Sequence, residues 1–184
     1  FGVEKGTRFA LVGPNGSGKS TIIKLLSGIL QKDKGNIYIK GHDINIHSNK
    51  IKSMIGYMPQ ISELNYEMNV FDNISIYGQL HGIKKAIISE DIIALSKKLD
   101  FETYLYSFPS DLSYGLLRVI MFSRSIIHNP EIILLDETTS NIDPSYKDKI
   151  WDYILNNLSD KTIFYTTNNF LDAQNFSHRI AILY

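Results

Sequence analysis

A glycine-rich segment near the start of the chain limits the possible folds more than any other feature of the sequence. Residues 13–20 read Gly-Pro-Asn-Gly-Ser-Gly-Lys-Ser, after an apolar run at residues 7–12 and before apolar residues at helical spacing over residues 22–30. The segment fits the pattern G-x-x-x-x-G-K-[ST] in its expected context, between a strand and a helix. The alternative is a strand-to-helix turn that binds nothing, and the complete motif in this context favours a phosphate-binding loop.

The chemistry of this loop suits the phosphates of a nucleotide. Its glycines let backbone N–H groups turn inward around an anion, and the start of the helix adds the positive end of a helix dipole. Lys19 can reach the β- and γ-phosphates, and the Ser20 hydroxyl can ligate Mg²⁺. The residues predicted to bind the nucleotide through this loop are Gly13, Pro14, Asn15, Gly16, Ser17, Gly18, Lys19, Ser20 and Thr21.

The order of elements along the chain predicts an α/β fold with a mostly parallel sheet. Strand patterns alternate with helical ones, as in domains that place helices on both faces of such a sheet. The predicted strands after the loop are residues 36–40, 54–58, 131–135, 162–167 and 179–183. Residues 69–128 show helical periodicity without strand signals, so we expect an inserted helical subdomain at about 69–128. A further amphipathic helix is predicted at residues 144–158, with proline in its first turn.

Composition excludes several classes of protein. The 19 Lys and Arg residues balance the 19 Asp and Glu residues, whereas wholesale nucleic-acid binding would leave a basic excess, so no nucleic-acid partner is expected. Cysteine is absent, which excludes disulfides and Cys-ligated metal sites. No apolar run approaches the roughly 20 residues that cross a bilayer, and the N-terminus lacks a signal-peptide pattern. Any membrane work therefore requires another chain or another part of the gene product.

A second candidate centre is the acidic end of a predicted strand. Residues 132–137 read Ile-Ile-Leu-Leu-Asp-Glu, and ligands of open α/β sheets bind at the carboxyl edge, where such strands end. Asp136 is suited to hold Mg²⁺ through water, and Glu137 could polarise an attacking water. The alternative is an acidic strand end that only caps the following helix. The presence of the phosphate-binding loop favours a functional pair.

With both centres in view, the sequence resembles the ATP-binding domain of ABC transporters over nearly its whole length. Lys19 and its loop match the Walker A motif, and Leu135-Asp136-Glu137 matches Walker B with its catalytic glutamate. Three further motifs match in register: Gln60 of the Q-loop, Leu112-Ser113-Tyr114-Gly115 of the signature, and Ser140-Asn141-Ile142-Asp143 of the D-loop. The five motifs together, rather than any one of them, carry the resemblance.

The resemblance implies ATP and Mg²⁺ as cofactors and ATP hydrolysis as the activity. In the family, the glutamine that Gln60 matches touches the metal and the attacking water, and it links the site to the transmembrane partner. The implied catalytic residues are Glu137, Gln60 and Asn168, and the implied metal ligands are Ser20, Gln60 and Asp136.

The signature segment also has a physical interpretation of its own. Ser113 and the N–H groups of Tyr114 and Gly115 precede an apolar helix, which makes an anion site. In the family this site closes over the ATP of a second subunit, so the resemblance implies nucleotide contacts from Ser113 and Gly115 in a head-to-tail dimer of two cassettes. The alternative is an ordinary serine N-cap, which would look the same locally.

The sequence departs from the family at four positions. Tyr114 replaces the second glycine of the signature, Leu116 replaces the glutamine that follows it, and Thr138 replaces the proline after the catalytic glutamate. Asn168 stands where the family has its switch histidine. Asparagine can donate a hydrogen bond to a γ-phosphate oxygen, but it is shorter than histidine and cannot take up a proton near neutral pH. We therefore expect slow hydrolysis.

The resemblance predicts a cassette that powers transport across a membrane through a transmembrane permease subunit, with exporter-type features at residues 56–60 and 70–74. It also implies that residues 1–184 are one ATP-binding domain, incomplete at both ends, located in the cytoplasm and peripheral on the inner face of the cell membrane. Two alternatives stay open. One is a soluble ABC ATPase that acts on ribosomes or DNA, and the other is a binding-only cassette whose hydrolysis is impaired.

Overall fold

The computed structural model describes residues 1–139 and 142–184, so Ser140 and Asn141 of the predicted D-loop lie outside the described residues. The chain divides into two compact units. The sheet unit comprises Phe1–Gln60, Pro130–Ser140 and Asp160–Tyr184, and the helical unit comprises Ile61–Asn129 and Asn141–Ser159.

A parallel sheet of five strands forms the centre of the sheet unit. The strands of the described residues are β1 (Arg8–Val12), β2 (Tyr38–Ile39), β3 (His42–Asp43), β4 (Ile55–Met58), β5 (Ile132–Asp136), β6 (Thr162–Thr167) and β7 (Arg179–Ile182). The sheet order is β4-β5-β6-β1-β7 with every neighbouring pair parallel, and β2 and β3 form a separate antiparallel hairpin. The predicted α/β class with a mostly parallel sheet is confirmed.

The apolar runs of the sequence become the buried strands of this sheet. Strands β1, β5 and β6 are buried along most of their length, as near-continuous apolar runs are in parallel sheets. The core around them comprises Phe9, Leu11, Ile23, Ile39, Ile44, Ile51, Ile55, Leu134 and Phe164. Because the strands of the sheet run in one direction, the carboxyl ends of β1, β4, β5 and β6 meet at a single edge.

The helices of the described residues are α1 (Lys19–Leu26), α2 (Ser48–Met54), α3 (Val70–Leu80), α4 (Lys85–Lys98), α5 (Tyr114–Ile126), α6 (Pro144–Asn157) and α7 (Phe170–Phe176). Helices α1, α2 and α7 belong to the sheet unit, and α3 to α6 build the helical unit, with 3₁₀ turns at Glu102–Tyr104 and Pro109–Asp111. The fully buried core of the helical unit includes Ile74, Ile88, Ile92, Leu99, Phe101, Val119, Ile120, Phe122, Ile150 and Ile154.

The predicted end of the first helix is wrong. Helix α1 ends at Leu26, Ser27 caps it, and Gly28 follows at φ 72°. Ile29 and Leu30 therefore lie outside the helix and are exposed, although their spacing continues the helical pattern.

Other predictions fail where elements are very short. The strand predicted at residues 36–40 is reduced to Tyr38–Ile39, because Lys40 and Gly41 adopt positive φ angles and turn the chain into the hairpin. The sequence patterns predict neither α2 nor α7, since each helix has only 7 residues and two turns are too few to establish a helical period.

A buried tyrosine ties α7 to the sheet. The Tyr165 hydroxyl donates to the carbonyl oxygen of Asp172 at 3.3 Å and lies 2.6 Å from Ser177 Oγ. Burial raises the pKa of Tyr165 to about 12, so the hydroxyl stays protonated and able to donate at physiological pH. This contact joins β6 to α7, the two elements on either side of Asn168.

Candidate active site

The glycine-rich loop leaves the carboxyl end of β1 in a confined space. A Cβ atom at Gly13 would lie 2.5 Å from the carbonyl oxygen of Leu183, the residue after β7. The backbone N–H of Gly13 donates to the carbonyl oxygen of Thr167 at 3.4 Å. The loop is therefore held against the ends of both strands that flank β1, and only glycine fits at its first position.

The loop ends at the N-terminus of α1, which has no capping side chain. Gly18 is the N-cap residue at φ 96° and forms no side-chain hydrogen bond, so the first N–H groups of the helix are left for an external acceptor. Side chains cap α3, α5, α6 and α7 instead. Ser17 Oγ is buried and has no hydrogen-bond partner within residues 1–139 and 142–184. These features fit an anion with several oxygen atoms, such as the phosphates of ATP.

Lys19, Glu137 and Gln60 meet at the carboxyl edge of the sheet. Lys19 Nζ donates to the carbonyl oxygens of Gly13 and Pro14, both at 2.9 Å, and lies 3.3 Å from Glu137 Oε1. Gln60 Nε2 donates to Glu137 Oε2 at 2.9 Å. Lys19 and Glu137 are only 3% and 8% exposed, so this ion pair is weakly screened by salt. Three residues far apart in sequence thus form one charged cluster.

Ser20 and Asp136 form a second contact beside this cluster. Ser20 Oγ donates to Asp136 Oδ1 at 3.0 Å, and Asp136 is 1% exposed. A hydroxyl and a carboxylate are oxygen donors of the kind that Mg²⁺ prefers, and Mg²⁺ usually takes one or two protein ligands together with phosphates and water. The described residues contain no group of three His, Cys, Asp or Glu side chains able to hold a metal alone. The donor set therefore fits Mg²⁺ that arrives with a nucleotide.

Thr166 is a residue of this edge that the sequence analysis missed. Its hydroxyl donates to Asp136 Oδ1 at 2.7 Å and accepts from the backbone N–H of Glu137 at 2.9 Å. Glu137 itself has a left-handed backbone, with φ 46°. A signal was present in the sequence, because a hydroxyl near the end of an apolar strand reaches the same sheet edge as the acidic end of β5 when the two strands are neighbours.

Asn168 is the first residue after β6 and is exposed. The next residue, Asn169, caps α7 by accepting from the backbone N–H of Leu171 at 3.0 Å. Asn168 thus stands at the same edge of the sheet as Glu137, but it is accessible where Glu137 is buried. Of the residues predicted to bind the nucleotide through the glycine-rich loop, the exposed ones are Pro14, Asn15, Gly16 and Thr21.

In the helical unit, Ser113 is the N-cap of α5. Its Oγ accepts from the backbone N–H of Leu116 at 3.3 Å and lies 3.4 Å from the Tyr146 hydroxyl. A Cβ atom on Gly115 would lie 2.2 Å from the Tyr146 ring, so the helix can approach α6 this closely only with glycine there. Tyr114 is 52% exposed. This geometry is common to a plain serine cap and to an anion site.

Beyond the two D-loop residues outside the described part of the chain, Asp143 is the N-cap of α6. Its side chain accepts from the backbone N–H of Ser145 at 2.9 Å. Hydrogen bonds from the Ser145 side chain and then its backbone lower the pKa of Asp143 below its usual value.

The sequence model of the family described as "ABC transporter" matches residues 1–140. The chain belongs to the ABC transporter family. The matched segment contains the glycine-rich loop, Gln60, Asp136 and Glu137 and the signature segment, whereas Thr166 and Asn168 lie beyond it.

Curated relatives of this ABC family member include proteins of different lengths. "ABC transporter A family member 5" of Dictyostelium discoideum is 37% identical over 175 residues, which are 94% of this chain and 10% of that protein. "Nod factor export ATP-binding protein I" of Rhizobium sp. (strain N33) is 32% identical over 184 residues, 100% of this chain and 60% of that protein. "Probable multidrug ABC transporter ATP-binding protein YbhF" of Escherichia coli (strain K12) is 29% identical over 184 residues, 100% of this chain and 32% of that protein. The chain thus spans less than two thirds of each of these relatives.

Solved structures share the fold. A dimeric bacterial ABC transporter cassette superposes with a TM-score of 0.90 at 24% identity, covering 100% of this chain and 83% of that one. The ATP-binding subunit of an ABC transporter superposes with a TM-score of 0.89 at 24% identity, covering 100% of this chain and 77% of that one. The fold is therefore that of ABC ATPase cassettes. Among the described helices of this ABC family member, none combines the length and the apolar character needed to cross a bilayer.

Proposed function

We propose that this chain is an ATP-binding and ATP-hydrolysing cassette that powers transport through a transmembrane partner. The observation that carries the proposal is the contact of Lys19 and Gln60 with the buried Glu137 carboxylate at the carboxyl edge of the sheet. Ser20 and Asp136 contact each other at the same edge. In this proposal residues 1–184 belong to one ATP-binding domain, and its helical subdomain spans about residues 69–128.

Nucleotide binding requires Lys19 to exchange partners. Its ammonium group now contacts two loop carbonyls and Glu137, and a β- or γ-phosphate oxygen would replace Glu137 as the anionic partner. The uncapped N–H groups of α1 and the hydroxyl of Ser17 would take further phosphate oxygens.

The same exchange prepares the hydrolytic step. Once the Lys19 contact is released, the Glu137 carboxylate can accept a proton from an attacking water, with the Gln60 amide nearby to orient that water. Asn168, exposed at the same edge, would donate a hydrogen bond to the γ-phosphate.

Ser20 and Asp136 are the residues that would hold Mg²⁺, with Gln60 as a third oxygen donor. When bound, the metal neutralises developing charge on the phosphates. Ser20 would turn its hydroxyl from Asp136 to the metal, and the hydrogen bond from Thr166 would help to keep Asp136 oriented.

A second cassette would complete the site. Ser113 and the N–H groups of Tyr114 and Gly115, at the start of α5, are placed to meet the ATP of a partner subunit in a head-to-tail dimer. The dimeric cassette among the solved structures supports this arrangement.

Transport is the proposed purpose of ATP hydrolysis. The names of the relatives, Nod factor export and multidrug transport, support export through a permease subunit over action on ribosomes or DNA. In this proposal the chain works on the cytoplasmic side, peripheral on the inner face of the membrane. A binding-only cassette is the second candidate, and the exposed position of Asn168 in place of histidine is the observation that favours it.

The proposal is tested by titrating Mg·ATP into the wild type and the Lys19→Ala variant in a calorimeter. We expect Lys19→Ala to abolish binding, because the loop loses its only side-chain cation and the Glu137 carboxylate would repel the phosphates without that cation between them. Lys24→Ala, at an exposed position of the same helix, is the matched control and should bind as the wild type does. Undiminished affinity in Lys19→Ala would reject the nucleotide site.

A further inference from the structure

A single hydroxyl connects the two carboxylate residues at the end of β5. Thr166 is 2% exposed in β6, and its Oγ1 donates to Asp136 Oδ1 at 2.7 Å while it accepts from the backbone N–H of Glu137 at 2.9 Å. One atom of the neighbouring strand thus fixes the side chain of Asp136 and the main chain of Glu137. Valine or isoleucine would fit a buried strand as well and could do neither.

The bond to Glu137 holds an unfavourable backbone conformation. Glu137 has φ 46°, in the left-handed region that residues with a Cβ atom seldom occupy. Such conformations persist only where surrounding structure enforces them, and they concentrate at functional sites. The Thr166 hydroxyl is one such restraint, because it binds the amide at the point where the chain leaves β5. The direction of the Glu137 side chain follows from this backbone angle.

The bond to Asp136 provides orientation that does not depend on Ser20. Asp136 Oδ1 accepts from both Ser20 Oγ and Thr166 Oγ1. If Ser20 turns toward a cation, the Thr166 bond is left to keep the carboxylate in place. Unlike Ser20, Thr166 is almost fully buried, in β6, the central strand of the sheet.

We propose that Thr166 is a positioning residue, which holds Asp136 and Glu137 in the relative orientation that Mg·ATP hydrolysis requires. This inference rests on the proposed function. It predicts an effect on turnover and on the Mg²⁺ requirement that exceeds any effect on nucleotide affinity, since the Thr166 hydroxyl bonds Asp136 and Glu137 and not Lys19.

The same strand provides a matched control. Thr162, at the start of β6, accepts from the backbone N–H of Gly6 at 3.0 Å. In both bonds a main-chain N–H donates to a threonine hydroxyl, and Thr162 lies at the opposite end of the strand from Thr166. Thr162→Val therefore removes a comparable hydrogen bond without touching either carboxylate.

The test measures kcat, KM and the Mg²⁺ midpoint of ATP-induced thermal stabilisation in the full-length protein. Thr166→Val should lower kcat by about tenfold or more with KM within about twofold, and it should raise the Mg²⁺ midpoint. Thr166→Ser keeps the hydroxyl, so its kcat and its Mg²⁺ midpoint should lie close to those of the wild type. Thr162→Val should match the wild type in kcat and in the Mg²⁺ midpoint. Thr166→Ala is the second variant without the hydroxyl, for use if the valine variant does not fold.

Two results would overturn the inference. The first is wild-type kcat and Mg²⁺ midpoint in a folded variant without the hydroxyl. The second is a serine variant as impaired as the valine one, since the hydroxyl would then not be the cause. Lys19→Ala in the same series separates the two proposals. If it loses binding while Thr166→Val behaves as wild type, only the positioning role fails. A wild type that neither binds nor hydrolyses Mg·ATP rejects the proposed function and this inference with it.

Discussion

The carboxyl edge of the sheet and the start of α5 both carry candidate phosphate-binding groups, and they hold those groups differently. At the sheet edge, Lys19 and Glu137 are buried and contact each other. At the start of α5, Ser113 and Tyr114 are exposed, and the nearest side-chain partner of Ser113 is the Tyr146 hydroxyl at 3.4 Å. The charged side chains of the first region are paired within the chain, whereas the polar groups of the second are accessible to a ligand from outside.

The difference reflects the free-energy cost of burying charge. A buried ammonium or carboxylate group is stable only when it is paired, so the sheet edge has to be assembled before any ligand arrives. The N–H groups at a helix start are solvated until an anion replaces the water, so they tolerate exposure. A composite site between two copies would combine one region of each kind.

The largest expected effect is on the rate of hydrolysis, and it tests whether the sheet edge or the start of α5 limits that rate. Asn168→His should raise turnover by about tenfold or more with little change in ATP affinity, because under the proposed function the longer histidine would reach the γ-phosphate with a hydrogen bond that acts mainly in the transition state. Steady-state ATPase assays and ATP titrations of the full-length protein measure both quantities.

The matched variant in the other region is Tyr114→Gly, which restores glycine to the signature. If Tyr114→Gly accelerates turnover and Asn168→His does not, the start of α5 limits the rate of hydrolysis. If both Asn168→His and Asn168→Ala leave turnover unchanged, position 168 does not sense the γ-phosphate.

A smaller effect tests why glycine occupies position 115. Gly115→Ala should lower the free energy of unfolding by about 1–3 kcal/mol, because the added methyl group would meet the Tyr146 ring at 2.2 Å. Urea denaturation of Gly115→Ala, Tyr146→Ala and the double variant measures the coupling between the two residues. We expect Tyr146→Ala to relieve most of the penalty. Additive penalties would instead indicate that the helix backbone, and not the tyrosine, requires glycine.

The smallest effect concerns the pH dependence of stability in the helical unit. In the helical unit, the rings of His81 and His128 stack with centroids 3.8 Å apart beside Tyr77, over which the Arg124 guanidinium lies at 5.3 Å. Burial lowers the pKa of His81 below 6.5. The unfolded chain therefore binds more protons between that lower pKa and 6.5, and stability falls as the pH drops through this window.

Thermal unfolding between pH 7.5 and 5 measures this dependence. His81→Gln should flatten it. An unchanged slope in His81→Gln would show that the stacked pair does not contribute.

Much of the sheet edge was predictable, because the direction of the strands can be inferred from the sequence. Apolar runs that alternate with helices predict a parallel sheet, and a parallel sheet brings the ends of β1 and β5 to one edge. The approach of Lys19 to Glu137 follows from this geometry without any knowledge of the distances. Their roles in catalysis remain part of the proposal.

The features that escaped prediction depend on contacts between elements. Thr166 acts only because β6 pairs with β5 in a register that sets it opposite Asp136. Tyr146 meets Gly115 because two helices approach closely, and no spacing in the sequence encodes that approach. The end of α1 at Leu26 depends on Gly28, whose positive φ overrides a helical apolar spacing that continues to Leu30.

If Lys19 binds phosphate as proposed, the Lys19–Glu137 ion pair competes with that ligand. The Glu137 carboxylate already contacts the lysine, so an incoming anion has to displace it. A simple monoanion would gain only the Lys19 contact, whereas a polyphosphate would also bind the N–H groups of the loop. The ion pair would therefore discriminate against free phosphate and other small anions.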